Sequence, residues 1–228
     1  MLLPEITLTK KYLLFLAFVV FIGLSIEKLL LLWGQIIASL LVWLVFLLTY
    51  YRLASASARR LIVYCLLFAT LGELFVSLVW GLYKYRFGNV PHYVPPGHVI
   101  MFLLSASLAP HLPRWVIYFV PLLVTPYIFS AYSFGFDELG VILWFFFIAC
   151  FSTSETERNV YVTTFILALY LEVYGTYLGN WTWRLETPYW NLSNTNPPLA
   201  SGAFYCVLDF LLLHFRFWDK KPNAVTVK

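Results

Sequence analysis

Two acidic residues, Glu73 and Glu172, stand inside long apolar stretches, and each is followed by the same succession of residue types. After Glu73 come Gly81-Leu82-Tyr83-Lys84-Tyr85-Arg86, then Pro91-His92-Tyr93 and Pro95-Pro96-Gly97. After Glu172 come Gly179-Asn180-Trp181-Thr182-Trp183-Arg184, then Pro188-Tyr189-Trp190, Pro197-Pro198 and Gly202. Each is an acid, a glycine, two aromatics one residue apart, an arginine, a proline–aromatic pair and a double proline. Self-similarity in this order predicts an internal repeat. Each Glu lies about ten residues, or roughly 15 Å of helix, below the end of its stretch. A carboxylate in hydrocarbon costs several kcal/mol unless it is neutral, paired or hydrated, so an acid there is read first as functional. The competing reading is a neutral acid that bonds a neighbouring hydroxyl and fixes helix packing.

As a general acid, Glu73 or Glu172 would protonate a carbon–carbon double bond, or act as acid and base on a lipid headgroup. The faces of Tyr83, Tyr85, Trp181 and Trp183 would stabilise a developing carbocation. Asp209, in the last apolar stretch with His214 beyond it, is a third acid at similar depth, and the three are expected to share one cavity. Arg86 and Arg184 are candidate anion contacts at the outer rim or, equally in keeping with their position, interfacial anchors. His92 is a candidate substrate contact. His92 and His98 with Glu73 raise the question of a metal. The second succession, however, has Tyr189 and Gly202 where His92 and Gly97 stand, and the spacing fits no standard ligand set. No metal and no cofactor are expected; no P-loop, dinucleotide fingerprint or nucleophile elbow is present.

The segment from Gly72-Glu73 to Gly81-Leu82-Tyr83-Lys84-Tyr85 resembles polytopic membrane enzymes of carotenoid biosynthesis. In the carotenoid hydratases an intramembrane Glu precedes a Gly, a Tyr-x-Tyr-like pair and a Pro-containing loop. The stretch from Glu172 to Trp183 is similar to membrane lycopene cyclases, in which an acid precedes a Gly-x-Trp. The cyclases' Pro-x-Glu-Glu-type segment has no counterpart, because Pro188 is followed by Tyr189 and Trp190. The resemblance implies an intramembrane enzyme of lipid or isoprenoid metabolism.

The elements that carry these residues follow from composition. The chain is 61% hydrophobic and 11% charged, with a mean hydropathy of +0.80. Soluble domains are about a quarter charged. The pattern predicts an all-α, polytopic transmembrane bundle in one domain, 1–228, with about eight spans: 12–26, 29–51, 61–83, 99–112, 115–132, 141–151, 160–181 and 203–217. Two of them, 99–112 and 141–151, are short for the roughly 20 residues a bilayer needs. The repeat segments are 61–112 and 160–217, separated by four crossings and therefore parallel. Four of the 15 Lys and Arg residues, Lys28, Lys84, Arg86 and Arg184, fall on one side of this topology. The others, including Lys220, Lys221 and Lys228, fall on the opposite side, so the positive-inside rule predicts a multi-pass cell-membrane protein with both termini cytoplasmic.

The long aromatic segment 182–202 is expected to lie as a lid over the mouth of an extracytoplasmic cavity. Lys10 and Lys11 before 12–25 loosely resemble a signal peptide, but the next span follows at once, so an uncleaved first helix is expected. Cys65, Cys150 and Cys206 read as small core residues. The GxxxG from Gly175 to Gly179 reads as close intramolecular packing. Asn180-Trp181-Thr182 and Asn191-Leu192-Ser193 fit the glycosylation pattern, which carries meaning only in a secretory pathway. No basic stripe for nucleic acid is present; the expected partners are the lipid bilayer and a lipophilic substrate. Three functions fit: an intramembrane enzyme on a lipid or polyisoprenoid, a proton-coupled transporter, or a non-catalytic subunit docking a partner through its aromatic loops.

Overall fold

The computed structural model describes residues 8–155 and 157–215. It is all-helical apart from two three-residue strands. In chain order the elements are α1 (Lys10–Arg52), α2 (Ala56–Glu73) running on into a π-helical turn (Leu74–Trp80), β1 (Tyr83–Tyr85), α3 (Val94–Leu108), α4 (Arg114–Ser133), α5 (Glu138–Thr153), α6 (Arg158–Leu178), β2 (Trp181–Trp183) and α7 (Gly202–Phe215). A short 3-10 turn, Ala109–His111, follows α3. Arg216, Lys220, Lys221 and Lys228, and the end of the span expected at 203–217, lie outside the described residues.

Four helices are long and apolar enough to cross a membrane: α1, α2 with its π turn, α4 and α6. Helices α3, α5 and α7 are shorter, at 15, 16 and 14 residues. The outer surface carries exposed Leu14, Leu29, Leu40, Leu71, Leu122 and Tyr177, a run of apolar area that suits contact with lipid.

The segments expected at 12–26 and 29–51 form the single 43-residue element α1, which doubles back at Leu31 (φ 54°, ψ −126°). The Tyr12 hydroxyl is 2.7 Å from Thr49 Oγ1, and the Arg52 guanidinium lies 4.7 Å from the Tyr12 ring. A continuous helix would hold Tyr12 and Thr49 roughly 55 Å apart. The fold-back needs Gly34: a Cβ there would meet the Ile26 carbonyl oxygen and the Glu27 Cα, the latter at 2.7 Å. Farther along the hairpin Gly23 faces Ala38.

Ordinary signals set the other ends. Ser55 caps α2, Pro95 and Pro96 occupy the first turn of α3, and Gly81 and Gly179 close their helices in the left-handed region at φ 73° and 72°. The connections sort to two ends. One gathers the Leu31 turn, both strands and residues 134–138 and 184–201, held by Asn180 Nδ2 donating to Leu24 O, Trp43 Nε1 to His92 O, and Ser193 N to Glu138 Oε2. The other gathers residues 53–55, 109–113 and 154–157, with Asn159 Nδ2 donating to Ala109 O.

Segment 184–201 is internally bonded: Thr187 N donates to Leu192 O, Asn194 N to Leu185 O, and Asn194 Nδ2 to Arg184 O. It docks on α5 through buried Asp137, whose carboxylate accepts from Gly140 N at 2.8 Å and Thr195 Oγ1 at 3.3 Å.

Two outcomes are expected. Gly34→Ala pushes a methyl into backbone that cannot rotate away, so it should lower stability by about 1–3 kcal/mol; Gly72→Ala, where a Cβ meets nothing, should not. Thermal unfolding in detergent compares the two. Burial raises the Asp137 carboxyl above its ordinary range, against the Gly140 and Thr195 bonds that lower it. A raised folded value means stability present at acid pH and lost as pH rises through that value. Asp137→Asn keeps an acceptor for Gly140 N and should be relatively more stable at neutral pH, the difference closing on acidification.

Candidate functional site

Strands β1 and β2 pair antiparallel, with Tyr83 opposite Trp183, Lys84 opposite Thr182 and Tyr85 opposite Trp181. Side chains alternate along a strand, so the four aromatics turn inward and are buried while Lys84 and Thr182 face out. Beneath this ribbon sit the two acids. Glu73 Oε2 accepts from the Tyr83 and Tyr85 hydroxyls, each at 2.7 Å. Glu172 Oε2 accepts from Trp181 Nε1 at 2.8 Å and Trp183 Nε1 at 3.0 Å. Each strand thus supplies both donors to the acid of its own preceding helix.

The remaining oxygens join the two halves. His98 Nε2 lies 2.7 Å from Glu73 Oε1, and the Tyr205 hydroxyl donates to Glu172 Oε1 at 3.2 Å. The His98 and Tyr205 rings stack at 4.5 Å, and those of Tyr83 and Trp183 meet at 4.7 Å. Cavities flank the stack. One of about 50 Å³ reaches Glu172, Tyr85, Tyr93, His98 and Tyr205 between α1, α3 and α6. The other, about 160 Å³, reaches Glu73, Glu172, His98, Trp183 and Tyr205 between α2 and α7. The two Glu residues therefore converge on one cavity.

The spacing from acid to strand is not the same on the two sides. Glu73 to Gly81 is one residue longer than Glu172 to Gly179. In an α-helix one extra residue turns everything beyond it by about 100°. The π turn Leu74–Trp80, which begins directly after Glu73, takes up that residue. Both carboxylates consequently meet their aromatic pairs in the same way. Such turns concentrate at functional sites.

The arginines have another place. Arg86 Nη2 donates to Leu178 O and Asn180 Oδ1, and Arg184 Nε donates to Gly81 O. Their backbone N–H groups extend the ribbon, Arg86 to Asn180 O and Arg184 to Leu82 O. Each arginine caps the C-terminal carbonyls of the other acid's helix, and neither lines a cavity. Asp209 also stands apart. It accepts a bond from Thr164, eight residues or roughly 12 Å along α6 from Glu172, and it lines neither cavity. The expectation that three acids share one cavity is corrected to two. His92 is exposed and contributes only its carbonyl oxygen, to Trp43.

The ribbon's four aromatics line the cavities at the end where an opening was expected, and the segment expected as a lid gives the cavities only its edges, Trp183 and Ser201. Gly175 makes room for the Trp181 ring, not for a second helix. His98, raised in the sequence only with a metal in view, and Tyr205, which no motif singled out, complete the contacts of the two acids; the signal for His98 was its position directly after Pro95-Pro96-Gly97. Among the described residues no three His, Cys, Asp or Glu side chains gather in a metal-binding group. The chain matches no family model, no curated protein and no solved structure.

If the π turn absorbs a surplus residue, deleting exposed Val79 should convert it to α-helix and leave Glu73 facing the ribbon. Deleting exposed Tyr177 on the other side should swing Trp181 and Trp183 away from Glu172. Intrinsic tryptophan fluorescence should stay near that of the parent protein in the first variant and shift to the red, with lower thermal stability, in the second.

Proposed function

We propose that the chain is a multi-pass membrane protein of eight crossings, built on a parallel internal repeat with both termini cytoplasmic. In this reading it acts as an intramembrane enzyme using Glu73 and Glu172 on a lipid-soluble substrate. The observation that carries this reading is the pair of buried carboxylates, each fixed by two aromatic donors and joined through stacked His98 and Tyr205 beside an apolar cavity. The α1 hairpin supports the crossing count, since it turns one long element into two antiparallel legs. The matched cross-bonds of the ribbon support the repeat.

The two acids have different chemical surroundings. Phenol and imidazole groups exchange protons; an indole N–H only donates. Glu73, with Tyr83, Tyr85 and His98, is the proton-transferring group. Its proton goes to one carbon of a double bond, leaving a carboxylate on the protein and a carbocation on the substrate. Glu172, oriented by Trp181 and Trp183, stabilises that cation together with the ring faces. The cation is quenched when neutral His98 takes a proton from a neighbouring carbon, and His98 returns that proton to Glu73 across their 2.7 Å contact. The resemblance to carotenoid-biosynthesis enzymes fits this chemistry and names a polyisoprenoid as first substrate to try. A proton-coupled transporter would use the same carboxylates; Pro121 and Pro126, the prolines inside α4, line neither cavity.

The test is Glu73→Gln and Glu172→Gln side by side, with lipid extracts of expressing cells compared by mass spectrometry. Gln keeps the shape but lacks the transferable proton. Product formation should fall by about 10²–10⁴-fold in Glu73→Gln, while membrane insertion persists. Normal activity in both variants would leave the docking-subunit reading. A transport protein would instead keep binding and lose the dependence of uptake on the proton gradient.

A further inference from the structure

The larger cavity is bounded by two facing helical stripes of different depth. From α2 and its π turn, Phe68, Gly72 and Val76 repeat every four residues along the rim, and Ala69 and Glu73 repeat one position inward. From α7, Phe204, Val207 and Leu211 form the opposite rim, with Tyr205 and Leu208 also lining the cavity. The inner members Ala69 and Glu73 are buried, whereas the rim residues are half-buried and Gly72 is exposed. A Cβ at Gly72 would meet nothing within 4 Å. The gap therefore runs along the flank of the helices. Beside it on α2 stand Leu71, Leu74 and Phe75, exposed at 55%, 42% and 53%. The smaller cavity is bounded by α1, α3 and α6 instead.

We propose that the α2–α7 gap is a lateral portal through which the end of a hydrocarbon chain passes from the bilayer to Glu73 and Glu172. This rests on the membrane reading above and names its substrate class: a molecule whose reacting group sits on or beside a long apolar chain, not a water-soluble metabolite. Three observations favour a chain as occupant. The rim is wholly apolar, so a polar substrate would lose its hydration there without compensation. The flank around the gap is one that hydrocarbon covers. The ribbon's aromatics and the arginines bonded to the helix ends occupy the strand end of the site, while the rim on the flank is half-buried.

The portal can be probed without knowing the substrate. The full-length protein is reconstituted in phosphatidylcholine vesicles containing a fatty acid with a diazirine at its methyl end, irradiated, and mapped by mass spectrometry. The expected result is adducts on Tyr205 and Leu208 inside the gap, together with adducts on lipid-facing Leu71 and Leu74. Gly72→Trp should reduce the inner adducts by at least tenfold and spare the outer ones, which also report that the variant has inserted and folded. If Gly72→Trp fails to insert, Ala69→Leu narrows the same gap from one position inward and is read in the same way. Outer adducts without inner ones would overturn the proposal, as would inner adducts that persist unchanged in the inserted variants. Because no turnover is measured, a failed portal leaves the Glu→Gln experiment intact, and silent Glu→Gln variants leave the portal standing.

Discussion

The constraint behind this architecture is the cost of keeping two carboxyl groups out of water. A buried polar oxygen without a donor is worth several kcal/mol against folding, and here two acids need donors at the same depth. The ribbon answers both at once. Its period of two points Tyr83, Tyr85, Trp181 and Trp183 inward, and its register sets each tyrosine against a tryptophan. Around that requirement the neighbouring features make sense. Left-handed Gly81 and Gly179 turn the chain from helix into strand. Gly175 leaves space for an indole, and the π turn corrects a one-residue excess. The arginines then lock each half to the other's helix end.

The two acids have similar geometry and unequal donors. Glu73 meets two phenols and an imidazole, whereas Glu172 meets two indoles, which only donate, and the Tyr205 phenol. The stacked His98–Tyr205 pair sets these environments against each other across a single ring contact. Two similar helix-to-strand turns, one with an added π turn, thus bring two differently bonded acids to one cavity.

Much of this was legible in the sequence, and the failures have physical reasons. Glu73, Glu172 and their aromatic pairs stood out because the two successions share order and residue type, and the geometry gathers all six side chains. Arg86 and Arg184 were equally visible, but their charge suggested a ligand, when the unpaired carbonyls at two helix ends claimed them first. Asp209 was misplaced because depth along a helix was counted without knowing the direction of the side chain; Thr164 draws it to another face. Tyr205 gave no signal, since one tyrosine among 16 carries no pattern. The reversal at Leu31 falls just inside the span expected at 29–51, after the break expected between 26 and 29. Glu27 beside it, which no motif singled out, is buried and lies 3.8 Å from Arg86.

The short helices fit the same account. At 15 residues, α3 reaches only about 22 Å, less than the roughly 30 Å of a hydrocarbon core, and α7 is described over 14 residues, to Phe215. The missing length is taken by the ribbon and by the prolyl segments that lead into each helix. Irregular backbone at membrane depth is tolerated only where protein buries it and satisfies its polar groups. The strands meet that condition through their own pairing and through Arg86 N to Asn180 O and Arg184 N to Leu82 O. The acids reach their donors because α2, through its π turn, and α6 each end in a left-handed glycine that turns the chain into a strand, and the strand's period of two aims both aromatics back at the acid of its own helix. A continued helix would carry those aromatics around a cylinder and could not aim two of them at one carboxyl oxygen.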